Sequence, residues 1–153
     1  MQHDPAINRR DFVRNTSAAA AAIAIAAPAV LAAPRVAAAR ELRVGLIGCG
    51  GRGTGAAVNA LRADPDVVLW AVGDLFSERH AGCLDAIVEE MRRLDEETGG
   101  DANVRRVQVP SERRFNGFDN HLRVIECCDV VLLCTPPVFR PQHMTAAVNA
   151  GRH

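Results

Sequence analysis

Residues 41–53, ELRVGLIGCGGRG, constrain this chain more than any other stretch. An apolar run (Leu42, Val44, Leu46, Ile47) leads straight into Gly48-x-Gly50-x-x-Gly53, and residues 54–63 are compatible with a helix. A strand that must become a helix within a few residues needs this spacing. Gly48 permits the tight turn, Gly50 has no side chain to hold a pyrophosphate off the backbone, and Gly53 lets the helix pack closely on the sheet. The helix N-terminus then offers free N–H groups and a partial positive charge to an anion.

The next strand-like segment strengthens the motif. Residues 67–72, VVLWAV, predict a second strand, and Gly73-Asp74 ends it. An acidic residue at that strand tip is placed to hold a ribose diol. Strand, glycine turn, helix, strand and acid in that order make a dinucleotide-binding arrangement. Within the turn, Cys49 and Gly51 fill the intervening positions, and Arg52 can bring a cation near the phosphates or remain a solvated loop residue. Asp74 favours NAD over NADP because its charge repels a 2′-phosphate; Arg79, close by in sequence, weakens that preference unless it only decorates a helix surface.

The remaining segments alternate. Ser77 is a candidate N-cap for a helix over residues 78–97, where Cys83, Leu84, Ile87, Val88, Met91 and Leu94 recur at three- and four-residue steps. Gly99-Gly100 closes it. Residues 104–109 form a candidate third strand stopped by Pro110, and residues 115–118 a turn. Asp119 is a candidate cap for a helix over residues 120–127. Residues 129–134, DVVLLC, predict a strand buried on both sheet faces, broken by Thr135-Pro136-Pro137. A last helix over residues 140–150 ends at Gly151. The expected fold class is α/β, a Rossmann-type, doubly wound parallel sheet. Ligands in such sheets lie beyond the carboxyl ends of the strands, where Gly48, Gly50, Gly53, Asp74, Thr135 and Pro136 all fall. Thr135 and Pro136 either border the nicotinamide half of a dinucleotide or simply end the strand.

Composition excludes some chemistry. Lys plus Arg number 18 against 18 Asp plus Glu, with no basic block after the first dozen residues, so a nucleic-acid face is not expected. Every one of those 18 cations is arginine, and tyrosine is absent too. A mechanism needing a lysine or tyrosine proton donor cannot be completed by these residues, and no catalytic residue is assigned. Cys49, Cys83, Cys127, Cys128 and Cys134 show neither CxxC nor metal-ligand spacing with histidine. They read as free thiols serving as small hydrophobes, with no metal site expected.

Residues 1–39 read as an address rather than as part of the fold. Asn8-Arg9-Arg10-Asp11-Phe12-Val13-Arg14 precedes an uncharged, alanine-dominated stretch over residues 16–34 and then Val36-Ala37-Ala38-Ala39. A charged n-region, apolar h-region and small-residue c-region make a secretory signal. The paired arginines resemble a twin-arginine signal, with Asn8 and Val13 as mild departures. The competing explanation is an uncleaved anchor, against which stand the alanine content and Pro28, because a span needs ~20 strongly apolar residues. The expectation is a periplasmic protein whose leader is followed by a domain over residues 40–153.

Taken together, VGLIGCGGRG, the strand-end Asp74, ERRFNGFD, DVVLLCTPP and FRPQHMTAAVNAGRH resemble the glucose–fructose oxidoreductase/inositol dehydrogenase (Gfo/Idh/MocA) family, in particular its twin-arginine-exported members. The likeness implies that Gly48, Gly50 and Gly53 bind pyrophosphate, Asp74 the adenosine ribose, and Thr135 and Pro136 the nicotinamide side. Many members have histidine where Arg140 stands, so no role is carried over there; His143 matches a subgroup position and is expected on a helix surface. Members continue past AGRH to a Glu-Lys-Pro lysine and a largely antiparallel substrate domain. The 153 residues are therefore expected to be the front part of a longer protein or a truncated gene product, inactive alone. The implied activity of the whole is NAD-dependent oxidation of a sugar, cyclitol or related polyol. The alternatives are an NAD-dependent glycosidase of the same family and a non-catalytic nucleotide-binding module. Expected partners are the dinucleotide, the small-molecule substrate, the twin-arginine export machinery and, in a homo-oligomer, a second copy.

The leader carries its own test. A reporter fused to residues 1–45 should be exported, and replacing Arg9 and Arg10 with Lys should abolish that export in a cell-fractionation assay; export that survives the exchange overturns the assignment.

Overall fold

The computed structural model describes residues 41–153, so the expected leader lies outside the described residues. Four strands form one all-parallel sheet in the order β3-β2-β1-β4. They are β1 (Leu42–Ile47), β2 (Val67–Asp74), β3 (Arg114–Asn116) and β4 (Val130–Leu133). Helices α1 (Gly51–Ala63) and α2 (Glu78–Thr98) cover one face; α3 (Asn120–Cys127) and α4 (Arg140–Asn149) cover the other. The chain runs outward from β1 through β2 to β3, then crosses back to β4 on the other side of β1. That reversal puts a topological switch point between β1 and β4. The α/β, doubly wound expectation holds.

Side-chain alternation builds the two cores. Val44 and Leu46 of β1 and Leu69 of β2 meet Leu61 of α1 and Leu84, Ile87 and Met91 of α2. Each such large apolar side chain, fully buried, contributes about 1.5–3 kcal/mol. On the other face Ile47 and Ala71 meet Val124 and Ile125 of α3 and Ala147 of α4. α3 lies so close to the sheet that a Cβ on Gly45 would fall 2.4 Å from Val124 Cγ1, and one on Gly73 2.4 Å from Asn120 Oδ1. Two strand glycines thus set the depth at which this helix sits. Trp70, the single tryptophan, lies between two guanidinium groups, with Arg43 4.3 Å and Arg113 3.5 Å from its ring centroid.

Several local expectations change. Residues 104–109 do not form the third strand. The buried Asp95 carboxylate accepts from Asn103 N–H (2.9 Å), Asn103 Nδ2 (2.7 Å) and Val104 N–H (3.0 Å), which curls Val104–Arg106 into a 3₁₀ turn. Arg106 ties that turn to the Leu61 and Asp64 carbonyls at 2.6 and 3.0 Å. Only Val107 bridges to Leu69. Arg114–Asn116 forms β3, so Phe115 and Asn116 of the expected turn are strand, and Gly117 (φ +88°) makes the turn. Ser77 and Asp119 precede their helices with no side-chain capping bond.

β4 is half-buried rather than buried on both faces. His153 accepts from Val131 N–H (2.8 Å) and donates to the Asp129 carbonyl (3.2 Å) along its outer edge, as a parallel neighbour would. Among the described residues no helix is long and apolar enough to cross a membrane.

Two glycines of α1 make a direct test of packing. A Cβ on Gly53 would lie 1.8 Å from the Gly48 carbonyl oxygen, whereas one on Gly55 meets nothing within 4 Å. Gly53→Ala should destabilise by about 1–3 kcal/mol or more, as overpacking does, while Gly55→Ala should stabilise by roughly 0.5–1 kcal/mol. Denaturant melts of the two variants check the sign of each.

Candidate functional site

At the carboxyl rim of the sheet a cleft of about 480 Å³ opens over the β1–α1 turn. Gly48 leaves β1 at φ +102°, and a Cβ there would strike the Cys134 carbonyl at 2.8–2.9 Å, so the turn is pressed against the end of β4. Gly50 is different. A Cβ on it would meet only the Arg79 guanidinium, at 3.7 Å, so its missing side chain leaves the cleft open down to the backbone. Thr54 N–H closes the first helical bond to the Gly50 carbonyl at 2.9 Å. The amides of Gly51, Arg52 and Gly53 precede that first bond and have no helical acceptor. Such a helix start attracts an anion, with about 0.3–1 kcal/mol from the dipole at an exposed site.

Asp74 ties the turn to the tip of β2. Its carboxylate accepts from Cys49 N–H at 2.7 Å through Oδ2 and from Phe76 N–H at 3.0 Å through Oδ1. The residue is 9% exposed yet still lines the cleft. A carboxylate has about four acceptor positions, so capacity remains for a ligand diol.

Of the residues singled out from the sequence, Gly48, Gly50, Gly51, Arg52, Asp74, Thr135 and Pro136 line the cleft. Cys49 and Gly53 do not. Cys49 points into the core with its N–H already bonded to Asp74, and Gly53 packs beneath the Gly48 carbonyl. Their contribution is to hold the turn. Pro136 lies on the wall while its carbonyl accepts from Phe139 N–H at 3.1 Å, so a turn-building and a cleft-lining role coexist.

Other residues join that sequence reasoning placed elsewhere. Arg79 is not merely a helix-surface residue: its guanidinium reaches over the glycine turn and lies 5.7 Å from the Phe76 ring centroid. With Arg52 and Arg140 it makes three arginines on the cleft wall beside one carboxylate, Asp74. Phe76 and Phe118, both exposed, add aromatic surface. His143, expected on a helix surface, is buried and lines the cleft. The signal that finds it is spacing: His143 precedes buried Ala147 by four residues on one face of α4.

Beneath the turn, the Cys49 thiol donates to the Gly73 carbonyl at 3.7 Å, and the Thr54 hydroxyl donates to Cys83 Sγ at 3.3 Å. The neighbouring Cys49 thiol, with help from Thr54 and against burial, brings Cys83 down to about 7; Cys83 and burial push Cys49 up. All five cysteines are free, and Cys127 and Cys134 are only half-buried. Among the described residues no group of His, Cys, Asp and Glu is arranged to hold a metal ion.

No protein-family model matches the chain, and no curated protein matches it. Solved structures do. Scyllo-inositol dehydrogenase from Lactobacillus casei, solved with NAD(H) and scyllo-inositol, is similar over 74% of this chain and 27% of its own, at 23% identity and TM-score 0.47. A probable dehydrogenase from Thermotoga maritima is similar over 73% of this chain and 26% of its own, at 25% identity and TM-score 0.45. A 3-ketoreductase from Actinomadura kijaniata, solved with TDP-benzene and NADP, is similar over 74% of this chain and 29% of its own, at 24% identity and TM-score 0.43. The chain thus spans well under a third of the length of each of these proteins.

Proposed function

We propose that this chain binds a nicotinamide dinucleotide and is the nucleotide-binding part of an oxidoreductase acting on a sugar, cyclitol or related polyol. The observation that carries the proposal is the glycine turn at the switch point, open at Gly50 and tied through Cys49 N–H to Asp74. The residues fit the group. The side-chain-free floor admits a diphosphate to the first-turn amides of α1, and Arg52 supplies a cation beside it. Asp74, on its remaining acceptor positions, takes a ribose diol and favours NAD over NADP. Thr135 and Pro136 border the far end. When bound, the dinucleotide supplies a hydride acceptor or donor at its nicotinamide ring.

Within this chain the roles are binding and orientation, since it has neither lysine nor tyrosine to move the substrate proton. The twin-arginine-like leader supports export of the folded, loaded protein to the periplasm.

Calorimetry tests the proposal. NAD⁺ should bind the folded chain, and Asp74→Ala should weaken binding by about tenfold or more, as loss of a charged hydrogen bond does. Asp74→Asn keeps an acceptor for Cys49 N–H and should bind better than Asp74→Ala. A folded sample without affinity for NAD⁺ or NADP⁺ overturns the proposal.

A further inference from the structure

Thr135 is held twice by α4. Arg140 Nε donates to its carbonyl at 2.9 Å, and His143 Nδ1 meets its hydroxyl at 3.2 Å. The His143 ring is buried, stacked on His121 at 4.2 Å between centroids with 23° between planes, and backed by Phe139 at 6.2 Å. His121 Nδ1 lies 3.1 Å from the Phe118 carbonyl, which can only accept. That bond puts a proton on His121 Nδ1. The Nδ1 proton of one ring is therefore accounted for, and the other ring decides what Thr135 can offer.

A hydroxyl has one proton to give. If His143 Nδ1 is bare, Thr135 Oγ1 donates to it and turns its lone pairs toward the cleft. If Nδ1 carries a proton, the ring donates to Oγ1 and the hydroxyl proton is released toward the cleft. We infer that His143 is a positioning residue: through Nδ1 it sets Thr135 as an acceptor for an amide or hydroxyl donor of the bound dinucleotide, and protonating His143 reverses that polarity. This rests on the dinucleotide proposal and extends it to the far end of the cleft.

Burial, and then neighbouring His121, hold the His143 pKa below that of an ordinary histidine; in the inferred binding state the neutral ring has its one proton on Nε2, which leaves Nδ1 bare. A ligand that needs the neutral ring binds fully above that lowered pKa and loses affinity as pH falls through it. The charged and titratable groups around the ring are His121 on α3, Arg140 on α4 and Cys134 at the end of β4, with Arg52 and Asp74 on the same cleft wall. Burial holds the Cys134 thiol above its ordinary value, so it stays neutral.

NADH fluorescence titrations on the full chain between about pH 5 and 8 test this, bracketing the titration of a histidine. Wild type should lose roughly tenfold in affinity toward the acid end, the scale of one hydrogen bond turned from match to mismatch. His143→Gln, neutral throughout, should give a flat profile. Thr135→Ser should keep the wild-type profile, and Thr135→Val should bind weakly and evenly at every pH. Thermal melts confirm that each variant is folded. An acid loss that persists in His143→Gln, or wild-type binding at pH 7.5 with no acid loss, overturns the inference while leaving the dinucleotide proposal intact. A folded wild-type chain that binds no NADH at pH 7.5 removes both.

Discussion

The bond from Cys49 N–H to the Asp74 carboxylate is the interaction on which the cleft depends. At 2.7 Å and buried, it joins the turn after β1 to the tip of β2, two of the places where the chain leaves the sheet. Gly48 N–H to the Gly73 carbonyl, also 2.7 Å, runs beside it. Together they prevent the glycine turn from lifting off the sheet although it carries almost no side-chain mass. Asp74 is therefore both part of the scaffold and a cleft-facing acid, and the two positions share one carboxylate.

Glycine acts in two opposite ways across the sheet. On the α1 side, Gly53 lets a helix start directly under a carbonyl, which aims its amides at the cleft. On the α3 side, Gly45 and Gly73 let a helix sink onto β1 and β2, which brings Asn120 and the 117–118 turn to the rim. The wall so formed carries Arg52, Arg79 and Arg140 against Asp74, a balance that suits a ligand with more than one negative charge.

Most of the fold was legible because its signals were local. The apolar run before Gly48, the helical spacing from Cys83 to Met91 and the left-handed Gly99 that ends α2 all depend on near neighbours. The failures came from contacts distant in sequence. Residues 104–109 have strand-like composition, but Asp95 captures the Val104 N–H and Arg106 ties the segment to the Leu61 carbonyl, and propensity loses to these part-buried hydrogen bonds. That the glycine turn, Asp74 and Thr135 would meet along one cleft was readable because a motif places them in order. Arg79 and His143 were not, since only the folding of α2 and α4 against the strand ends turns them inward. Histidine is a poor indicator of exposure when a neighbour such as His121 offers a ring to stack on.

Trp70 has a consequence of a different kind. It is the lone indole of the chain, clasped between Arg43 and Arg113 on the middle strand pair and absent from the cleft wall. Nature has in effect installed one optical probe in the scaffold and none in the seat. Its emission follows loss of the sheet, so a ligand titration that leaves the spectrum unshifted has not unfolded the chain.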